Sequence, residues 1–285
     1  MDIVYDGEVI KVTGERIDIA LTFECAQAFR FQRAENGAYF GVAGKKPVFV
    51  RQNGEGMDIY PVEREAFQCF WYDYFDLGLD YQNILAFFRQ DPVLNRAVEE
   101  FPGLRLLNQQ PFETLITFII SSNNNQKRIR RIVERLCEAA GEPIMCGERR
   151  SFAFPEPEAL AALPLSCLQA LGAGYRAEYI KRTAAEVARG FALDRLFDME
   201  YREAKKELCL LMGVGPKVAD CVLLFALKKK NAFPVDTWMR KVLTSLYGFS
   251  PKSDAAAMDF AQTRFGEYAG IAQQYLFHYA RMHRI

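Results

Sequence analysis

Histidine is nearly absent from these 285 residues, with His278 and His283 the two in the chain. Chemistry built on clustered imidazoles is therefore not expected. The seven cysteines (Cys25, Cys69, Cys137, Cys146, Cys167, Cys209 and Cys221) are odd in number, and no two are spaced C-x-x-C. That disfavours a disulfide framework, a zinc site or an iron–sulfur cluster, so reduced and mostly buried thiols are expected, with no metal and no cofactor. Long apolar runs are also missing. Stretches such as residues 222–227 fall far short of the roughly 20 residues a membrane span needs. The opening Met1-Asp2-Ile3-Val4-Tyr5-Asp6 is acidic and leads into no apolar core, which reads as no signal peptide, no membrane partner and an intracellular protein. Net charge is missing as well: 36 basic residues face 36 acidic ones. Taken alone, that argues against a polyanionic partner.

Its distribution reverses the inference. Residues 1–100 hold 10 basic and 17 acidic residues, which leaves 26 basic and 19 acidic in residues 101–285. An acidic front and a basic back expect any polyanion to meet the back. Half of the chain is apolar and a quarter is charged, an ordinary globular composition for two or three packed sub-domains. Alternation at residues 17–21, 39–42 and 47–50, with turns at Glu35-Asn36-Gly37, Gly44 and 53–56 before Met57-Asp58-Ile59-Tyr60, predicts four or five antiparallel strands. From about Ala66 the pattern turns helical. Asp91-Pro92 places an N-cap and an N1 proline, residues 112–120 read as a buried central helix, and 126–140 as an amphipathic one whose Lys127, Arg130 and Arg131 form a solvated face. Further helices are expected to residue 282. The fold class is α+β: an N-terminal antiparallel sheet domain with flanking helices (1–105), then an all-helical domain in two parts (106–285).

The segment Leu211-Met212-Gly213-Val214-Gly215-Pro216-Lys217-Val218-Ala219-Asp220 carries the chemistry. Two glycines one residue apart permit a tight turn and a close backbone approach, and Pro216 starts a new helix whose N-terminus suits a phosphate. This is a helix–hairpin–helix at about 201–227, a device for gripping a nucleic-acid backbone. Lys217 falls in the first turn of that helix, an unfavourable place for a cation. Alone it reads as solvated or phosphate-binding; partly desolvated there, its amine suits Schiff-base chemistry. Asp236, in Phe233-Pro234-Val235-Asp236-Thr237, reads locally as an N-cap.

Together these residues resemble the helix–hairpin–helix DNA glycosylases with the G/P…D signature. Cys25-Ala26-Gln27-Ala28-Phe29-Arg30-Phe31, Ser121-Ser122-Asn123-Asn124-Asn125, Leu171-Gly172-Ala173-Gly174-Tyr175-Arg176-Ala177 and Ala272-Gln273-Gln274-Tyr275-Leu276-Phe277 narrow the resemblance to the 8-oxoguanine DNA glycosylase/lyase type, over roughly residues 15–282. The resemblance implies a monomer that bends duplex DNA containing oxidised guanine and extrudes the lesion into a pocket. It implies that Lys217 attacks C1′ and expels the base, with Asp236 stabilising the cationic sugar and helping to orient the lysine. Phe277 and Cys221 would sandwich the flipped base, and Gln273 would read its pairing edge. Asn123 would fill the vacated stack, Arg128 and Arg176 would hold the orphaned cytosine, and Tyr175 would wedge beside it. Gly213, Val214 and Gly215 would grip the backbone.

Two positions depart from the family pattern. Ala26 stands where the family has a glycine whose carbonyl senses the N7 hydrogen of 8-oxoguanine. Trp238 stands where histidine is common. Two alternatives remain at this stage. One is an alkyl-base glycosylase that uses water as nucleophile, which Lys217 argues against. The other is a non-catalytic lesion-binding module, which has no need of both Lys217 and Asp236.

Overall fold

Strand pairing begins at the first residues. The computed structural model, which describes residues Met1–Ile285, forms β1 (Asp2–Asp6), β2 (Val9–Thr13), β3 (Gln32–Arg33), β4 (Tyr39–Ala43), β5 (Lys46–Asn53) and β6 (Gly56–Tyr60) into one antiparallel sheet. Its spatial order is β1-β2-β6-β5-β4-β3. The register sets Val50 beside both Tyr39 and Ile59, and Val12 beside Met57. The alternation of side chains along each strand sends these to one face, where they bury a core with Phe23, Phe31, Phe67, Trp71 and Phe75. The last three come from a helical segment in which α2 (Arg64–Ala66) and α3 (Tyr72–Tyr74) flank a π-helical turn at Phe67–Trp71.

The expected strand at residues 17–21 is instead α1 (Ile19–Glu24). Asp18 caps it, its carboxylate accepting from the Leu21 amide at 2.9 Å. Ile19, Thr22 and Phe23 are the buried positions, so the apolar residues of this short stretch also fit helical spacing, and the cap decides the outcome. The sheet is correspondingly built from β1 and β2, which sequence reasoning passed over.

The helical body contains α4 (Tyr81–Phe88), α5 (Pro92–Glu100), α6 (Pro111–Ser121), α7 (Gln126–Ala140), α8 (Pro157–Ala162), α9 (Leu165–Leu168), α10 (Arg176–Ala188), α11 (Tyr201–Leu208), α12 (Pro216–Phe225), α13 (Thr237–Tyr247), α14 (Asp254–Phe265) and α15 (Ala269–His283). It is not wholly helical. β7 (Pro143–Cys146) and β8 (Arg149–Phe152) form a hairpin, and Cys146 packs on Phe40 and Val42 across the outer face of the sheet. The boundary expected at 105/106 runs through a continuous interior: Cys25, Phe29 and residues of α4 and α5 belong to the same apolar core as α6, α12 and α15. Arg130, read as part of a solvated face, donates instead to the Phe31 and Phe23 carbonyls at 3.3 and 3.2 Å. It thereby ties α7 to the sheet domain, because a long guanidinium reaches carbonyls left free where strands and helices change direction. The cysteines are all free; Cys69 and Cys209 are exposed, Cys167 is half-buried and the other four are buried.

Candidate active site

The hairpin is built as its residue types require. Gly213 has φ +82°, and a Cβ there would lie 2.7 Å from that of Tyr179, so both conformation and packing demand glycine. Gly215 has φ −88° and nothing within 4 Å of the Cβ position. The fold itself does not demand glycine there, and the bare backbone leaves room for close approach from outside. Val214 is buried as the hairpin's apolar anchor, and its amide donates to the Leu211 carbonyl at 3.1 Å. From α10, the Thr183 hydroxyl donates to the Met212 carbonyl at 2.8 Å. Behind the hairpin, buried Asp220 accepts from Tyr201 Oη and Lys205 Nζ, each at 2.7 Å. Burial, outweighing the Lys205 ammonium, pushes the Asp220 carboxyl up. This cluster locks α11 to α12 and so fixes the direction in which α12 starts.

Pro216 and Lys217 open α12, with Gly215 as the cap residue. Lys217 Nζ lies 3.4 Å from the Ser121 hydroxyl at the end of α6 and 5.1 Å from the Phe118 ring centroid. It opens into a cavity of about 320 Å³ whose lining includes Ala26, Cys221, Asp236, Trp238, Gln273 and Phe277. Asp236 caps α13, its Oδ1 accepting from the Met239 amide at 2.8 Å. One carboxylate therefore serves both a helix start and the cavity wall. Cys221 follows Lys217 by one helical turn and is buried; desolvation pushes its thiol up to about 11, against the pull of the nearby lysine. Gln273 is buried and its Oε1 has no hydrogen-bond partner, an acceptor in want of a donor. Phe277 is half-buried and carries the Arg281 guanidinium 5.7 Å from its ring centroid. Trp238 is 39% exposed at the rim, with Lys241 Nζ 5.4 Å from its ring centroid.

Ala26 keeps a left-handed φ of +70°. The methyl has not moved this residue out of the region that favours glycine, so the departure is accommodated at a cost in backbone strain.

The second group of expected residues lies outside the cavity lining. Asn123 is exposed with φ +49°, in the turn between α6 and α7. Asn125 caps α7 by accepting from the Arg128 amide at 3.0 Å, and Arg128 Nη2 donates to the Gly172 carbonyl at 3.2 Å. Tyr175 is 57% exposed. Arg176, in contrast, is buried: its Nε donates to the Ser122 carbonyl and its Nη2 to that of Asn123, both at 2.8 Å. Sequence reasoning had not singled out Ser121, Arg281 or Gln274. Ser121 and Gln274 carried a signal only as members of the serine–asparagine run and of the segment around Gln273.

The chain is similar to known proteins along most of its length. Residues 9–115 match the family model of the 8-oxoguanine DNA glycosylase N-terminal domain, and residues 116–265 that of the HhH-GPD superfamily base excision DNA repair proteins. The chain is 33% identical to a probable N-glycosylase/DNA lyase of Methanothermobacter thermautotrophicus over 73% of this chain and 72% of the relative. It is 31% identical to the N-glycosylase/DNA lyase OGG1 of Arabidopsis thaliana, over 94% and 78% respectively. Among solved structures it is similar to the Clostridium acetobutylicum 8-oxoguanine glycosylase/lyase in complex with dsDNA containing cytosine opposite 8-oxoG, with a TM-score of 0.95 and 38% identity over 100% and 99% of the two chains.

Proposed function

Because this chain belongs to the HhH-GPD superfamily of base excision DNA repair proteins and carries the 8-oxoguanine glycosylase N-terminal domain, we infer that it excises 8-oxoguanine opposite cytosine from duplex DNA and then cleaves the abasic strand. A DNA substrate supports an intracellular location. The observation that carries the catalytic reading is the convergence of one amine and one carboxylate, Lys217 and Asp236, on a cavity with an unpartnered amide at Gln273.

In this reading the hairpin around Gly213, Val214 and Gly215 holds a backbone phosphate, and the damaged nucleotide swings out of the stack into the cavity. Asn123 fills the gap, with Tyr175 beside it. Arg128 and Arg176 face the orphaned cytosine, Arg176 from beneath the turn whose carbonyls it holds. Phe277 and Cys221 cover the two faces of the flipped base, and a neutral thiol suits contact with a π-system. Gln273 pairs with its Watson–Crick edge. The Lys217 amine attacks C1′ through its lone pair. The C1′–N9 bond breaks, its electron pair leaves with the base, and the base takes a proton from solvent. Asp236 stabilises the positive charge that develops on the sugar. The Lys217 nitrogen then gives up a proton, the C1′–O4′ bond breaks with its electron pair going to O4′, which takes a proton, and the ring opens to an imine between Lys217 and C1′. Loss of a C2′ proton then expels the 3′ phosphate by β-elimination, and water releases the enzyme.

Lys217 separates this reading from a water-based alkyl-base glycosylase. The test is a labelled duplex with a single 8-oxoguanine opposite cytosine, assayed for free base and for strand cleavage. Wild type should yield both products, and Lys217→Gln neither. Base release that survives in K217Q rules out the lysine nucleophile.

A further inference from the structure

We propose that Gln274 is a positioning residue for base discrimination: its hydrogen bond to the Cys25 carbonyl holds the strained turn at Ala26 against the base cavity. The proposal rests on the cavity being the site of the oxidised base. Gln274 lies beside Gln273 on α15, is 2% exposed, and donates from Nε2 to the Cys25 carbonyl at 2.6 Å. This contact joins residues 249 positions apart in sequence.

The turn is held from its other side as well. Gln27 is buried, and its Nε2 donates to the carbonyls of Thr22 and Arg105 at 2.8 and 2.7 Å, while its Oε1 accepts from the Leu107 amide at 2.9 Å. The Gln27 carbonyl in turn accepts from Gln109 Nε2 at 2.8 Å. The carbonyls before and after Ala26 are thus both occupied, whereas no protein donor reaches the Ala26 carbonyl itself. That free acceptor belongs to a cavity-lining residue. 8-Oxoguanine carries a hydrogen at N7 where guanine carries a lone pair, so a fixed carbonyl at the cavity wall attracts one base and repels the other.

An alanine at φ +70° does not stay there without outside constraint, since side chains disfavour this region and glycine does not. Gln274 supplies part of that constraint. Its loss should let Ala26 relax to negative φ and turn the free carbonyl away. The expected effect is roughly tenfold, the factor matching the preference of an L-residue against this conformation.

The experiment uses the full chain and Gln274→Met, which keeps side-chain length and removes the donor. Base release is measured on 8-oxoguanine·cytosine and guanine·cytosine duplexes, and nicking on a preformed abasic site, where there is no base to read. Q274M should lose roughly tenfold in kcat/KM for 8-oxoguanine release, narrow the preference over guanine, and nick the abasic site as wild type does. Adding Ala26→Gly should restore the loss, because glycine takes the required φ freely. Gln274→Asn, which keeps the amide but shortens its reach, takes the place of Q274M if that variant does not fold. Unchanged discrimination overturns the proposal, as does an equal loss on abasic DNA or a failure of A26G to rescue. A wild type that releases no 8-oxoguanine overturns the function itself, and this inference with it.

Discussion

Arg176 Nη2 donates to the backbone carbonyl of Asn123 at 2.8 Å while its Nε donates to that of Ser122 at 2.8 Å. One buried guanidinium therefore holds the turn that presents Asn123 in its left-handed conformation. Truncation to alanine leaves two carbonyls without their charged donor. We expect Arg176→Ala to lose on the order of 2–3 kcal/mol of stability and to weaken binding of lesion duplex, with Arg176→Lys intermediate because an ammonium cannot fork across both carbonyls. Urea denaturation and fluorescence anisotropy check the two effects. A fully stable R176A removes the structural role.

Asp236 holds a helix cap and a cavity wall at once, and substitution can separate these. Asparagine caps a helix nearly as well as aspartate but brings no negative charge to a developing cation. Asp236→Asn should fold with unchanged thermal stability and lose at least roughly 100-fold in base release. Asp236→Ala should lose the same activity and also about 1 kcal/mol of stability. Single-turnover assays beside thermal melts make the comparison.

Gly213 and Gly215 should respond oppositely to alanine. Gly213→Ala meets both a φ of +82° and the Tyr179 side chain, so it should lose about 1–3 kcal/mol of stability. Gly215→Ala enters open space at an ordinary φ. It should melt like wild type yet bind DNA of any sequence more weakly, because its methyl stands where a phosphate approaches. Melting temperature against affinity for undamaged duplex separates them.

Burial pushes the thiols of Cys221 and Cys25 up from 9.0 to about 11. The folded state thus keeps protons that the unfolded state releases. Each thiol's contribution is intact below pH 9 and is lost as pH rises towards 11. The loss is on the order of 2–3 kcal/mol per thiol at its fullest. Urea midpoints measured across that range should fall less steeply for Cys221→Ala than for wild type, although C221A starts lower. At pH 8, iodoacetamide should label exposed Cys69 and Cys209 in the native protein and spare Cys221.

How much of this was written in the chain depends on the range of each interaction. The hairpin was legible because Gly213, Gly215, Pro216 and Lys217 act on their own backbone, and Asp236 because an N-cap reaches only three residues ahead. Helix α7 was legible in full, since its apolar stripe, Ile129, Ile132, Val133, Leu136 and Cys137, keeps helical spacing throughout. Residues 17–21 were not: five residues do not separate a period of two from one of 3.6, and the Asp18 cap outweighed the alternation. The roles of Gln274 and Arg130 were hidden because their acceptors lie 249 and about 100 positions away. Nothing local marks a polar side chain that serves a distant carbonyl. Ala26 was legible as a departure from a pattern, but its φ of +70° was not.

The central claim is that the Lys217 amine forms the covalent bond to the sugar. Borohydride reduction during reaction with a labelled 8-oxoguanine·cytosine duplex tests it most directly, with an undamaged guanine·cytosine duplex and Lys217→Gln alongside. We expect a stable protein–DNA adduct from wild type on damaged DNA alone, with the reduced bond mapping to Lys217 in the digested peptide. Free base released without any adduct, or an equal adduct from K217Q, would contradict it.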